Sequence, residues 1–252
     1  MSKTVLITGA TSGIGKACAH IFARNHHNLI LCGRRSPLLH QLSDELEKKH
    51  KIKVLALDFD IRKRFEVEKS INMLKDEWRN IDILVNNAGL AAGLGPIHEG
   101  EIDDWEKMID SNLKGLLYIT RFVSPMMVER NQGHIINIGS VAGRETYLNG
   151  NVYCATKYAV DSLTKAMRID LLPYNIKVSQ IAPGAVETEF SLVRFKGDAE
   201  KAANVYKGFH PLQAEDIADA VYYTTTLPPH VNINDLLIMP TAQASATNIM
   251  RK

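Results

Sequence analysis

Residues Thr4 to Gly15 read TVLITGATSGIG, and this stretch decides the fold. Its first part, Thr4 to Thr8, is an apolar, β-branched run of strand length, too short for a helix. Glycines follow at positions 9, 13 and 15, and the chain then enters an amphipathic segment bearing Ala17, Ile21 and Phe22. A strand, a glycine turn and a helix in that order bring free N–H groups and the positive end of a helix dipole to a close backbone approach, which suits a pyrophosphate. The spacing differs from the common G-x-G-x-x-G fingerprint, and an ordinary glycine turn is the alternative reading. The candidate contacts are Gly9, Thr11, Ser12, Gly13, Ile14 and Gly15.

The same alternation continues along the chain. Strand-like runs are expected at Thr4 to Thr8, Asn28 to Cys32, Lys53 to Leu57, Ile83 to Asn86, His134 to Ile138, Lys177 to Ile181 and Leu236 to Met239. Helical spacing begins near Ile14, Leu38, Arg62, Ile102, Val152 and Glu215. Most of the strands are apolar on both faces, as in a parallel sheet covered by helices on each side. The expected fold is α/β, a doubly wound, Rossmann-like parallel sheet in one domain spanning residues 1–252, with ligands beyond the carboxyl ends of the strands.

Composition sets the outer limits. With 45% hydrophobic and 23% charged residues, the chain has the balance of an ordinary globular domain. A net charge of +2, with the basic residues scattered, gives no reason to expect nucleic acid or an anionic membrane as partner. No signal-peptide pattern and no run of about 18 apolar residues is present. Cys18, Cys32 and Cys154 are odd in number and lack metal-ligand spacing, so a reducing, cytoplasmic location and no metal are expected.

A dinucleotide site reads the adenosine ribose at the end of the second strand, about 20 residues after the glycines. Gly33-Arg34-Arg35 stands there. An acidic residue would accept the ribose hydroxyls of NAD, whereas two guanidinium groups favour the 2′-phosphate of NADP; a solvated loop is the alternative. Asp58, at the end of the third strand, is a candidate acceptor for the adenine amino group. Asn86-Asn87-Ala88-Gly89 ends the fourth, and Asn86, Ala88 and Gly89 are candidates to lie against the dinucleotide, with a plain Asn-stabilised turn as the alternative for Asn86.

Tyr153 and Lys157 are four residues apart in a helical stretch, on one face. A phenol with a pKa near 10 is a poor base at neutral pH, and lowering it to about 7 takes about 4 kcal/mol. One positive charge about 4 Å away, at an effective dielectric of about 20, supplies that much. Lys157 is the expected source. Ser140, in the turn after the fifth strand, could hold the same substrate oxygen. Asn112, a poor helix former within a helix, could bend it or hold a water that relays protons to Lys157. Taken singly, each of these is common in a structural role.

Through TGATSGIG, NNAG, Asn112, Ser140, YCATK at Tyr153 to Lys157 and PGAVET at Pro183 to Thr188, the chain resembles the short-chain dehydrogenase/reductase family over essentially its whole length. The resemblance implies seven parallel strands and an Asn112, Ser140, Tyr153 and Lys157 tetrad. It also implies cofactor contacts from Tyr153, Lys157, Pro183, Gly184, Val186 and Thr188, and a homo-oligomer, a tetramer rather than a dimer, with helices from Ile102 and Val152 at an interface. MVERNQGHIINIGS, EFSLVRFKGD and LPPHVNINDLLIMP look like the NADP-dependent 3-hydroxy acid dehydrogenase group. That group acts on serine, allo-threonine and 3-hydroxypropionate or malonic semialdehyde.

Such a substrate needs a cation for its carboxylate near the reacting hydroxyl. Arg194, in a segment 188–212 expected to act as a lid, is the first candidate, and Arg144 is the second; a solvated surface arginine is the alternative for both. Ser140 and Tyr153 complete the expected substrate contacts. A 3-oxoacyl-carrier-protein reductase and a non-catalytic NADP-binding regulator are the rival functions. A short tail, 241–252, is expected to pack across an interface or to fray.

Overall fold

All seven expected runs pair. β1 (Thr4–Thr8), β2 (Asn28–Gly33), β3 (Val54–Asp58), β4 (Ile81–Asn86), β5 (Gly133–Ile138), β6 (Ile176–Pro183) and β7 (Asp235–Ile238) form one sheet in the order β3-β2-β1-β4-β5-β6-β7. Every neighbouring pair is parallel. These elements belong to a computed structural model that describes residues 2–252.

Alternate residues of each central strand enter two separate cores, which is why both faces are apolar. Val5, Ile7, Leu29, Leu31, Ile83 and Val85 pack on one face, under α1 (Gly13–Arg24), α2 (Ser36–His50) and, later in the chain, a helix over Ala214–Thr226. Leu6, Ile30, Leu84, Ile135 and Val178 pack on the other, under α3 (Arg64–Asn72) and two helices over Leu116–Glu129 and Asn151–Asp170. The strand order reverses between β1 and β4, so the loops after these two strands part and leave a crevice between them.

The remaining elements are short or irregular. α3 begins two residues after the expected start, because Arg62 folds back onto the Asp60 carboxylate and Lys63 N–H donates to the Asp60 carbonyl. α4 (Asp76–Arg79) is a single turn. The helix expected from Ile102 runs as α5 (Ile102–Ile109), widens into a π turn over Asp110–Gly115 and continues as α6 (Leu116–Glu129). α7 (Asn151–Asp170) follows. The 188–212 segment contains α8 (Glu189–Arg194) and α9 (Ala199–Asn204), and α10 (Ala214–Thr226) leads into β7. Among the described residues, no helix is long and apolar enough to cross a membrane.

His134 in β5 links the fold to pH. Its Nε2 lies 2.8 Å from Ser179 Oγ on β6, and burial, reinforced by Lys177 and Lys3, pushes its imidazole down to about 3. The unfolded chain therefore takes up a proton that the folded chain refuses, so this contribution to stability is present above about pH 6.5 and is lost as pH falls toward 3. Urea unfolding should show the wild type losing more stability between about pH 7 and about pH 4 than His134→Gln, by at most about 1.4 kcal/mol per pH unit. Parallel losses in the two proteins would refute the assignment.

Candidate active site

A cleft of about 480 Å³ lies over the carboxyl ends of β1, β2, β4, β5 and β6. Its floor at the switch point is the glycine turn. Gly9 and Gly13 have φ of +67° and +49°, which side chains disfavour. A Cβ on Gly15 would stand 2.3 Å from the Gly9 carbonyl oxygen and 2.5 Å from Asn87 Nδ2. Gly15 is thus a packing requirement behind the cleft, while Gly9, Thr11, Ser12, Gly13 and Ile14 line it. Ser12 precedes α1 without capping it through its side chain, and no acidic residue occupies the first turn, so the N-terminal amides of α1 remain available to an anion.

Arg34 and Arg35 both line the cleft at the end of β2. Arg35 Nε donates to Thr11 Oγ1 at 3.0 Å and Nη1 to Glu189 Oε2 at 3.0 Å. Arg34 has no ion-pair partner among the described residues. These features fit a dinucleotide bearing a ribose phosphate.

Two expected contacts lie elsewhere. Asp58 is still in register on β3, opposite Gly33, and its side chain is exposed outside the cleft; Phe59, Asp60 and Ile61 form that wall instead. Asn86 points into the core, where its amide donates to Thr120 Oγ1 at 3.0 Å and to Asn137 Oδ1 at 2.8 Å. Its neighbour Asn87 faces the cleft. Asn87 Nδ2 donates to the carbonyls of Thr8 at 2.9 Å and Gly9 at 3.2 Å, and Thr8 Oγ1 accepts from the backbone N–H groups of Asn87 and Ala88. Ala88 and Gly89 line the cleft as expected, as do Pro183, Gly184, Val186 and Thr188. Thr188 also caps α8, its hydroxyl accepting from Phe190 N–H at 3.2 Å.

Ser140, Tyr153 and Lys157 converge on the far end of the cleft. Ser140 Oγ accepts from Ala142 N–H at 3.1 Å and faces the same cleft as the Tyr153 phenol. Burial pushes the Tyr153 phenol well above its ordinary value, the neighbouring Tyr147 adds to this, and the Ser140 hydroxyl and Arg194 charge oppose it. Lys157 Nζ donates to the Ile138 carbonyl at 2.9 Å, 6.0 Å from the centre of the Tyr153 ring, and burial pushes its ammonium down to about 8. In the chain alone, desolvation outweighs the Ser140 and Arg194 effects on the phenol.

Asn112 is fully engaged and does not bond Lys157. Its Oδ1 accepts from Leu90 N–H at 2.8 Å, and its Nδ2 donates to the Leu90 carbonyl at 2.8 Å and to Thr156 Oγ1 at 3.0 Å. It sits in the π turn over Asp110–Gly115, which locally widens the helix.

The two candidate arginines separate. Arg144 pairs with Asp235 on β7, away from the cleft, which removes it as a carboxylate ligand. Arg194, at the end of α8, lies with its guanidinium carbon 5.5 Å from the Tyr153 ring centre and 5.4 Å from that of Tyr147. Its Nη2 donates to the Tyr147 hydroxyl at 2.8 Å. Phe190 meets Tyr153 edge-on, with ring centres 5.6 Å apart. Tyr147 was not a sequence candidate; its place in the segment between Ser140 and Tyr153 was the signal available. Behind Tyr153 and Arg194 a smaller cavity of about 200 Å³ reaches Trp105 and the buried Asp104, which pairs with Lys196 at 2.7 Å.

A parallel doubly wound sheet, an anion-ready glycine turn at its switch point and a Ser-Tyr-Lys group facing the same cleft together define a dinucleotide-dependent oxidoreductase. The chain belongs to the short chain dehydrogenase family, whose pattern matches residues 3–198. It is 51% identical over 243 residues to the NADP-dependent 3-hydroxy acid dehydrogenase YdfG of Salmonella typhi, covering 96% of each chain. It is 43% identical over 251 residues to the NADP-dependent 3-hydroxy acid dehydrogenase of Schizosaccharomyces pombe, covering 99% of this chain and 97% of the relative. A closed form of serine dehydrogenase complexed with NADP+ superposes with a TM-score of 0.92 at 49% identity, over 99% of this chain and all of the other (100%).

Replacing Asn112 by Ala should strand the Leu90 N–H and carbonyl and lower stability by about 1–3 kcal/mol. Thermal denaturation without ligand checks this, since a residue acting only as a relay would leave the melting temperature unchanged.

Proposed function

We propose that this chain interconverts small 3-hydroxy acids of the serine, allo-threonine and 3-hydroxypropionate type with their 3-oxo acids, malonic semialdehyde among them. The cofactor is NADP, which accepts or returns the hydride at its nicotinamide ring. The observation that carries the substrate class is Arg194, a guanidinium stacked between Tyr147 and Tyr153 and hydrogen-bonded to the Tyr147 hydroxyl. It puts an anion receptor beside the phenol that would exchange the proton.

In oxidation, Ser140 would hold the substrate oxygen while Tyr153, as phenolate, takes the hydroxyl proton and Arg194 pairs the carboxylate. Lys157, fixed by the Ile138 carbonyl, would keep its charge beside the ring, and Asn112 would hold the Leu90 loop against α7. Reduction returns the same proton to the product oxygen. Arg34 and Arg35 would take the 2′-phosphate, the glycine turn the pyrophosphate, and the loop from Pro183 to Thr188 the nicotinamide side. The 188–212 segment, carrying Phe190 and Arg194, is read as the substrate lid.

We also read the chain as a cytoplasmic homotetramer. Its three cysteines are buried and unpaired, and Ile102 on α5, Leu117 on α6 and Ile169 on α7 expose apolar side chains on the helices expected at an interface.

Near-ultraviolet absorbance of NADPH tests the substrate class, with serine, allo-threonine and 3-hydroxypropionate offered with NADP or NAD, and malonic semialdehyde with NADPH. Turnover should require NADP. Tyr153→Phe should lose about 10²- to 10⁴-fold in rate while retaining NADPH binding. Arg194→Met should raise KM for the acids about 10- to 100-fold, the loss of a hydrogen-bonded charge pair, with KM for NADP unchanged. Tight NADPH binding without turnover of any of these acids would overturn the substrate assignment and favour a carrier-protein reductase or a regulator.

A further inference from the structure

The tail neither frays nor runs free. After β7, residues 240–252 fold back on this chain and touch the 188–212 segment, the loop after Ser140 and the loop from Pro183 to Thr188. Gln243 N–H donates to the Pro240 carbonyl at 2.8 Å, and Met250 N–H to the Ala242 carbonyl at 2.8 Å, closing the tail into a compact loop. At its end, Lys252 N–H donates to the Gly208 carbonyl at 2.7 Å, and Arg251 donates to the Val205 carbonyl and lies 5.1 Å from the Phe209 ring centre, all within the lid. Midway, Ala246 N–H donates to Glu145 in the loop after Ser140.

The third contact reaches the cofactor wall itself. Gln243 is 6% exposed, an unusual burial for a polar residue in a chain-terminal loop. Its Oε1 accepts from Ala185 N–H at 2.8 Å, and its Nε2 donates to the Ser245 carbonyl at 3.1 Å. The two bonds fix the amide's orientation, since the opposite one would set donor against donor and acceptor against acceptor. Ala185 lies between Gly184 and Val186, both of which line the cleft. Gly184 packs so tightly that a Cβ there would stand 2.5 Å from Gln243 Oε1 and 2.8 Å from Met239 Sδ. On its other side Ala185 accepts at its carbonyl from Leu212 N–H at 3.0 Å, at the far end of the lid segment.

We propose that the tail is a strap and that Gln243 is a positioning residue, holding Ala185 so that the Pro183 to Thr188 loop presents its backbone to the nicotinamide half of the dinucleotide. The inference rests on the reading of that loop as the nicotinamide wall. Gln243 touches neither cofactor nor substrate; it acts through the Ala185 amide. The adenosine half is held elsewhere, by the glycine turn and the arginines after β2, and owes the strap nothing.

This separation supplies the test. Calorimetry on the full chain compares NADPH with 2′,5′-ADP, which carries only the adenosine end. Gln243→Met fills similar space but accepts no hydrogen bond. It should weaken NADPH about tenfold, the cost of leaving one half-buried N–H unmet, and leave 2′,5′-ADP unchanged. Gln243→Glu, whose carboxylate oxygen still accepts from Ala185, should recover most of the loss and serves as the comparison if the Met variant does not fold. In that case, Gln243→Glu should bind 2′,5′-ADP as the wild type does and NADPH more weakly only to the extent that the Ser245 bond matters. Equal weakening of both ligands, or no change in either, would overturn the proposal. Failure of the wild type to bind NADPH would instead overturn the reading it rests on.

Discussion

At the functional end of the molecule, Gly15 packs so tightly against the Gly9 carbonyl and the Asn87 amide that no side chain fits there, and the cleft depends on it. β1 and β4 run side by side, but the chain leaves them toward opposite faces, so ladder hydrogen bonding stops just where the backbone must stay ordered. Thr8 and Asn87 replace the ladder: a hydroxyl accepts from two N–H groups, and a side-chain amide donates to two carbonyls across the gap. The clamp works only if α1 comes close enough for Gly15 to touch it, and a methyl group there would have nowhere to go. The cofactor floor and the direction of α1 are therefore set by one contact. The anion-ready amides of α1 follow from it.

Electrostatics at the other end of the cleft follow from burial. Tyr153 is pushed up and Lys157 down, so in the chain alone both are driven toward their neutral forms. Removing water is the common cause, and it costs more than the cations nearby return. Charges brought by ligands reverse the balance. A carboxylate on Arg194 or phosphates in the cleft favour the lysine's charge, and the positive ring of an oxidised dinucleotide favours the phenolate. In the chain alone the phenol therefore rests protonated, while the lysine, at about 8, keeps most of its charge at neutral pH.

What was legible in the sequence is what local pattern encodes. Continuous apolar, β-branched runs marked all seven strands to within two residues, because parallel strands between two helical layers are apolar on both faces. The glycine turn and the Ser140, Tyr153, Lys157 spacing are equally local. Choices that depend on a distant partner were not legible. Asn86 and Asn87 are chemically identical, and only the strand's register decides which faces Thr120 and which faces Thr8. Arg144 and Arg194 both lie in suitable loops, and it is Asp235, 91 positions away from Arg144, that claims one of them. The bonds of Asn112 in the π turn to Leu90 and Thr156, and that of Gln243 to Ala185, leave no periodic trace in the sequence.

The 188–212 segment shows how such distant bonds are combined. α8 has six residues, too few to hold a helix by its own hydrogen bonds, so its position is set by tertiary ties. At its first residue Glu189 meets Arg35, but both side chains are largely exposed, and pairs of that kind contribute little. At its other end the ties are of a different quality. The Arg194 carbonyl accepts from Gly93 N–H at 2.9 Å, its guanidinium stacks on two aromatic rings, and Lys196 meets the buried Asp104. Ser191 and Val186 are both bonded to the Tyr206 hydroxyl, joining the helix to the cofactor loop from behind. The firm end of α8 is thus the end that carries Arg194, and the weak end is the one that meets Arg35. On the proposed reading, a ribose phosphate that engaged Arg35 would compete with the weak tie and leave the Arg194 end in place.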